Sequence, residues 1–236
     1  MVALVDTRLF AICLIALPVA IASFILYRRY VRRELPATAI FGSWLVALAS
    51  ATITFNAIRI LLNATLADSL LAAGGIFLLG AFLSERYTWP TYPLVGAVGV
   101  ALLAVSVAAS TAISLTPDLD LHSGLLFLAG AVLTPLVVAA AARSPAALKV
   151  IASLWVASGA VNGAISALDS ARLTRLAPVV TGVSDLRWGQ AQGLTDHPNG
   201  LGLACVMVVP VGFALVLSER RFAFRMVFAA LTALAV

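Results

Sequence analysis

The chain has 236 residues, of which 62% are hydrophobic and only 11% charged, and its mean hydropathy is +1.08. A soluble domain carries about 25% charged residues, and so few polar groups could not cover a water-facing surface on a chain of this length, so a soluble globular fold is excluded. The formal net charge of +5 sits mostly in short loops between apolar runs, which points to anionic lipid headgroups and away from nucleic acid.

Those apolar runs set the fold class. A helix of about 20 residues crosses the hydrocarbon layer, and in lipid the backbone must satisfy its own hydrogen bonds, leaving helices or closed barrels. Barrel strands alternate in polarity over about ten residues; these runs do not, and they are rich in Ala, Leu and Gly. The expected fold is all-α, a polytopic transmembrane helical bundle forming one membrane domain over residues 1–236. In chain order the runs predict spans at 9–27, 37–55, 64–83, 93–115, 123–142, 150–168 and 199–217, about seven complete spans. An eighth run, 226–236, stops in mid-helix at Val236; the expectation is a truncated span, as in the N-terminal part of a longer protein. The first run is read as a retained span because its strongest positive cluster follows it.

Loop charges give an orientation. Arg28, Arg29, Arg32 and Arg33 follow the first span, Arg86 the third, Arg143 and Lys149 the fifth, and Arg220, Arg221 and Arg225 the seventh. These alternate loops hold ten of the fifteen basic residues; Arg8, Arg59, Arg172, Arg175 and Arg187 fall on the opposite side. Basic loops stay in the cytoplasm, so the loop 169–198 is expected to be extracytoplasmic.

That loop is the one long polar segment, and a loop of this length in a compact domain is functional or disordered. Its apolar interruptions, Leu176–Val180 and Leu186–Trp188, suit a segment packed on the membrane surface. It ends in Thr195-Asp196-His197-Pro198-Asn199-Gly200-Leu201-Gly202. Thr195 or Asp196 can cap a helix, and Pro198 suits its first turn. The N–H groups of such a terminus attract anions, and an arginine fork binds phosphate through two parallel hydrogen bonds. With Arg172, Arg175 and Arg187 in the same loop, the pattern describes an anion site at a membrane face; the plainer reading is a capped helix with arginines on lipid headgroups.

The segment GLTDHPNGLGLACVMVVPVGFAL (Gly193 to Leu215) resembles the Gly-x-x-x-His-Pro-Asn-x-Leu-Gly signature of the O-antigen ligase and O-antigen polymerase superfamily. The runs Ala64 to Gly74 and Leu133 to Asp169 are also similar to the family's rhythm of spans. The resemblance implies a multi-pass protein of the bacterial inner membrane. Such a protein transfers a glycan from a polyprenyl-diphosphate carrier to an acceptor at the outer face, without a cofactor. It further implies that Gly193, His197, Pro198, Asn199 and Gly202 shape the site of the carrier diphosphate. The family places an arginine three residues before the glycine matched to Gly193; here that position is Gln190, and Arg187 stands three residues earlier. The diphosphate contacts expected from motif and loop are therefore Arg187, Gln190, Arg172, Arg175, Gly193, His197, Pro198 and Asn199. His197 is a candidate proton carrier, since its ordinary pKa is near neutrality, or else a structural neighbour of Pro198; the catalytic residue is otherwise unassigned. The family carries a further catalytic loop, which the resemblance leads one to expect past Val236. The alternatives from other classes are a transporter of a lipid-linked or small anionic solute and an inactive remnant.

Remaining polar residues receive structural readings. Asp68 is either a functional acid at membrane depth or a residue that simply reaches the interface or caps a helix with Thr65. Asn162 with Ser158 and Ser166 is expected to hydrogen-bond to a neighbouring helix. Asp118, Asp120 and His122 read as a solvated turn, and two histidines in all argue against a multi-histidine metal site. Cys13 and Cys205 read as buried structural thiols. Tyr87, Trp89 and Tyr92 read as rings at the membrane border.

Overall fold

A computed structural model describes residues 21–29, 31, 35–55, 59–61, 64–84, 88, 90, 94–114, 117–181, 193–195 and 198–235. The expected first span and the rings of Tyr87, Trp89 and Tyr92 lie largely or wholly outside them, as does Cys13. The described chain is helical apart from one short ribbon. After a helical segment at 21–29 come α1 (Ala37–Thr52), α2 (Leu66–Leu83), α3 (Leu94–Ala112), α4 (Pro117–Ala141), α5 (Pro145–Ser170), α6 (Leu176–Thr181), α7 (Pro198–Ser218) and α8 (Phe222–Leu234). Between α1 and α2, strands β1 (Arg59–Leu61) and β2 (Ala64–Thr65) pair antiparallel, Arg59 opposite Thr65.

Four helical stretches among the described residues are long and apolar enough to cross a membrane: Leu66–Leu83, Ser123–Ala141, Pro145–Ser170 and Gly200–Ser218. The apolar stretches Ala37–Thr52, Gly96–Ala112 and Phe222–Leu234 are shorter. Many large apolar side chains point outward, among them Leu83, Leu102, Val105, Leu203, Val206 and Leu217. Such a surface is compatible with contact to lipid and costly in water.

Helix ends follow local chemistry. Thr65 and Asp68 form a capping box at the start of α2: the Thr65 hydroxyl accepts from the Asp68 N–H at 3.2 Å, and the Asp68 carboxylate accepts from the Thr65 N–H at 3.0 Å. Of the readings of Asp68, capping is the one seen. The Ser144 hydroxyl accepts from the Ala147 N–H at the start of α5, with Pro145 in the first turn, where its missing donor is harmless.

Two packing groups meet along α5. In the first, α1 lies against α2, with the end of α4 and the start of α5 closing one side; Val46, Leu78, Ala140, Ala141, Ala147 and Ile151 are buried in it. Gly42 and Gly74 make the close approach possible. A Cβ on either would come within 2.9 Å of the other's carbonyl oxygen, so backbones meet where side chains would otherwise hold them apart. Phe24, Phe41 and Trp44 form a ring cluster at the edge, and Trp44 Nε1 donates to Ser23 Oγ at 3.2 Å. In the second group α5, α7 and α8 pack around Val156, Val208, Leu215 and Phe228. Gly159 faces Val208, Gly212 faces Thr232, and Gly163 faces the end of α8 at Leu234 and Ala235. The helices α3 and α4 form a hairpin, and the described α3 side chains are mostly exposed.

Candidate functional site

A helix in lipid can carry polar side chains cheaply only where they find partners. On α5, Ser158, Asn162, Ser166 and Asp169 are all buried, and their spacing of four, four and three places them on one face. This stripe holds three separate pieces of chain.

The first piece follows α1. Thr54 Oγ1 lies 2.7 Å from Ser158 Oγ and 3.1 Å from the Ser158 carbonyl oxygen, and the Thr54 carbonyl accepts from Asn162 Nδ2 at 2.9 Å. Asn162 thus bonds to a neighbouring segment, at a residue that sequence reasoning did not single out.

The second piece is the end of the polar loop. Gly193, Leu194 and Thr195 are buried, and the Leu194 N–H donates to Asn162 Oδ1 at 2.6 Å. Gly193 has a φ of +56° and sits so close to Asn162 Oδ1 that any Cβ would collide with it. Glycine is required twice there, by conformation and by space. The motif's first glycine therefore has a structural role in docking the loop.

The third piece is the start of the loop. Asp169 Oδ1 accepts from the Leu176 N–H at 2.9 Å and from the Thr174 hydroxyl, and Oδ2 accepts from the Ala177 N–H at 2.7 Å. The carboxylate thereby satisfies the free donors at the N-terminus of α6 and holds that short helix against α5, with Ala177 buried. The apolar interruption at Leu176–Val180 is thus part of a packed helical turn.

At the C-terminus of α5, the Arg172 N–H bonds to the Asp169 carbonyl and the Leu173 N–H to the Leu168 carbonyl, both at 3.0 Å. This paired pattern ends a helix with a left-handed residue, usually glycine. Here that residue is Arg172, with a φ of +58°. Arg172 and Arg175 are both exposed, so two guanidinium groups stand at the root of the loop.

Pro198 and Asn199 form the first residues of α7, directly after the docked Gly193–Thr195 turn. Arg187, Gln190, Asp196 and His197 lie outside the described residues. The described candidates therefore divide between the loop's two roots: Arg172 and Arg175 at one, and Gly193, Pro198 and Asn199 at the other. Both roots are tied to α5. Among the described residues no group of His, Cys, Asp and Glu gathers in a way that could hold a metal. Cys205 is a free, partly buried thiol on α7. Asp118, Asp120 and His122, expected in a turn, are instead helical, in the first turns of α4.

No protein-family model, curated protein or solved structure matches the chain.

Proposed function

We propose that the chain is a multi-pass protein of the bacterial inner membrane, with about seven complete spans, that acts in surface-polysaccharide assembly in the manner of the O-antigen ligases and polymerases. In this reading the loop 169–198 faces the extracytoplasmic side and holds the diphosphate of a polyprenyl-linked glycan. Arg172, Arg175 and Arg187 pair with phosphate oxygens, Gln190 donates hydrogen bonds, and Gly193, His197, Pro198 and Asn199 shape the turn beneath. An acceptor hydroxyl forms a bond to the anomeric carbon as the bond from that carbon to the diphosphate oxygen breaks. Negative charge grows on the departing diphosphate, and fixed guanidinium groups stabilise it. The hydroxyl proton leaves to a base, for which His197 is the candidate in this segment.

The observation that carries the reading is the anchoring of the loop that bears the His-Pro-Asn motif. One polar stripe on α5 fixes the loop's start through Asp169 and its end through Asn162, and an exposed arginine occupies the strained turn between helix and loop. Strained backbone is retained where function needs it.

Two experiments test this. Single cysteines at Ser170 or Ser184, in a chain lacking Cys13 and Cys205, should react with a membrane-impermeant thiol reagent in intact cells, and cysteines at Ser144 or Ser218 only after permeabilisation. The reverse pattern would place the loop on the wrong side for a lipid-linked glycan. In reconstituted protein, Arg187→Ala should weaken polyprenyl-diphosphate binding about tenfold to a hundredfold, the value of a charge-assisted hydrogen bond. Arg187→Lys should recover part of it, and Arg86→Ala should change it little. Equal binding by all three would make Arg187 a headgroup contact and remove the glycan reading.

A further inference from the structure

At the end of α5 away from the loop, the sequence puts charge beside apolar walls. A cleft of about 510 Å³ opens between the start of α5, the α7–α8 turn and the start of α8. Lys149, Glu219 and Arg221 supply its charged lining, and Val150, Leu154, Phe224 and Phe228 its apolar lining. From Lys149 to Leu154 the helix rises about 7–8 Å, so the cleft runs from charge into hydrocarbon-like surface along one helix.

The carboxylate in the cleft is already spent. Glu219 Oε2 bonds to Lys149 Nζ, and Oε1 accepts from the Arg221 N–H at 3.0 Å. The Arg225 guanidinium donates to the Glu219 carbonyl oxygen from Nη2 at 3.0 Å and from Nε at 3.3 Å. Lys149 keeps two of its three donors and stays partly exposed, its ammonium 6.0 Å from the centre of the Phe228 ring. The exposed Arg221 guanidinium has no bond partner among the described residues. Of the groups lining the cleft, two cations and one anion leave one positive charge, and the Arg225 guanidinium on the Glu219 carbonyl adds another beside it. Two of the long apolar helices begin or end here, α5 at Pro145 and α7 at Ser218, which puts the charged end at a membrane border. Phe222, Phe224, Met226 and Val227 expose apolar surface along the adjoining α8.

We infer that this cleft binds one anionic phospholipid, its phosphodiester on Arg221 and Lys149 and an acyl chain along Val150, Leu154 and Phe228. The positive balance attracts a phosphodiester, which carries a single negative charge. The lining matches a molecule that is charged at one end and apolar at the other, and a free inorganic phosphate would use only the first of these features. The inference rests on the helices crossing a bilayer and is independent of the glycan reading.

The test uses the full chain in phosphatidylcholine vesicles carrying spin-labelled phosphatidylglycerol or spin-labelled phosphatidylcholine. The immobilised fraction of each lipid is measured by electron spin resonance. The wild-type chain should immobilise the anionic lipid preferentially. Arg221→Gln should reduce the preference about fivefold, the worth of one basic residue at an anionic membrane surface, and the exposed Arg220→Gln should leave it within twofold. Leu154→Trp, which fills the apolar part and leaves every charge in place, should also reduce it. Adding inorganic phosphate should lower the preference no more than chloride at equal ionic strength. Equal loss in Arg220→Gln and Arg221→Gln, an unchanged preference in Leu154→Trp, or displacement specific to inorganic phosphate would each overturn the inference.

Discussion

Asn162 accepts a hydrogen bond of 2.6 Å from the backbone N–H of Leu194, joining the middle of one long apolar helix to the end of a polar loop. The same side chain donates to the Thr54 carbonyl at 2.9 Å. One amide group therefore holds the α1 exit and the α7 entry to α5, and both of its polar atoms are used.

Replacing Asn162 with alanine should leave the Leu194 N–H and the Thr54 carbonyl without this partner. Buried groups stripped of a partner cost about 1–3 kcal/mol, and measured bonds between membrane helices fall toward the lower part of that range. Denaturant unfolding in mixed micelles should show a loss of roughly that size. Ser166→Ala, on the same face and without a side-chain bond to the loop among the described residues, should lose less. Equal stability of Asn162→Ala and the wild type would show that the amide is not a fastener.

Arg172 offers an opposite effect on stability. A non-glycine residue in the left-handed region is disfavoured by roughly 1–2 kcal/mol, part of which glycine gives back as chain entropy. Arg172→Gly should thus stabilise the protein by about 0.5–1 kcal/mol. If the loop holds a diphosphate, the same change should weaken polyprenyl-diphosphate binding, by about tenfold for one charge-assisted bond. Greater stability with unchanged binding would leave Arg172 a strained residue with no part in the site.

Glycines on one helix should respond differently. A Cβ at Gly74 would come within 2.9 Å of the Gly42 carbonyl oxygen and of a Val46 methyl, whereas one at Gly80 would meet nothing within 4 Å. Overpacking a tight contact costs about 1–3 kcal/mol, so Gly74→Ala should lower stability by that order. Gly80→Ala should be neutral or gain about 0.5–1 kcal/mol from reduced chain entropy. Thermal unfolding of the two variants compares them directly, and equal behaviour would contradict the close α1–α2 approach.

How far these contacts could be read from sequence depends on their range. The Thr65–Asp68 box was legible because its partners are three residues apart and the capping geometry is local. Asn162 and Ser158 were legible as residues needing partners, because lipid offers none. Thr54 was not legible as that partner, since 108 residues separate it from Asn162 and only tertiary packing brings them together. The reach of Asp169 to Leu176 and Ala177 exceeds any local capping rule. The left-handed turn at Arg172 was hidden because its usual marker, glycine, is absent. Apolar runs located the helices well, but a run also includes the turns beside it. The run over 37–55 contains a helix that stops at Thr52, and the run over 64–83 begins with a strand and a cap.

The ion pair at the other end of α5 gives a prediction in pH. The bond to Lys149 first, and the Arg221 N–H second, hold the Glu219 carboxyl below its ordinary value of 4.5. Arg220, Arg221 and Arg225 are its other charged neighbours in the α7–α8 region. A carboxyl whose folded value is depressed binds its proton more readily in the unfolded chain, so it contributes stability above the unfolded value and loses it as pH falls through the folded one. Glu219→Gln removes this contribution without emptying the site, since Lys149 is partly exposed and can be solvated. The wild type should therefore melt at a higher temperature than Glu219→Gln near neutral pH. The gap should hold down to about the ordinary glutamate value and close below it. A gap that stayed constant from neutral pH to well below 4.5 would mean that the effect of the substitution is packing and not charge.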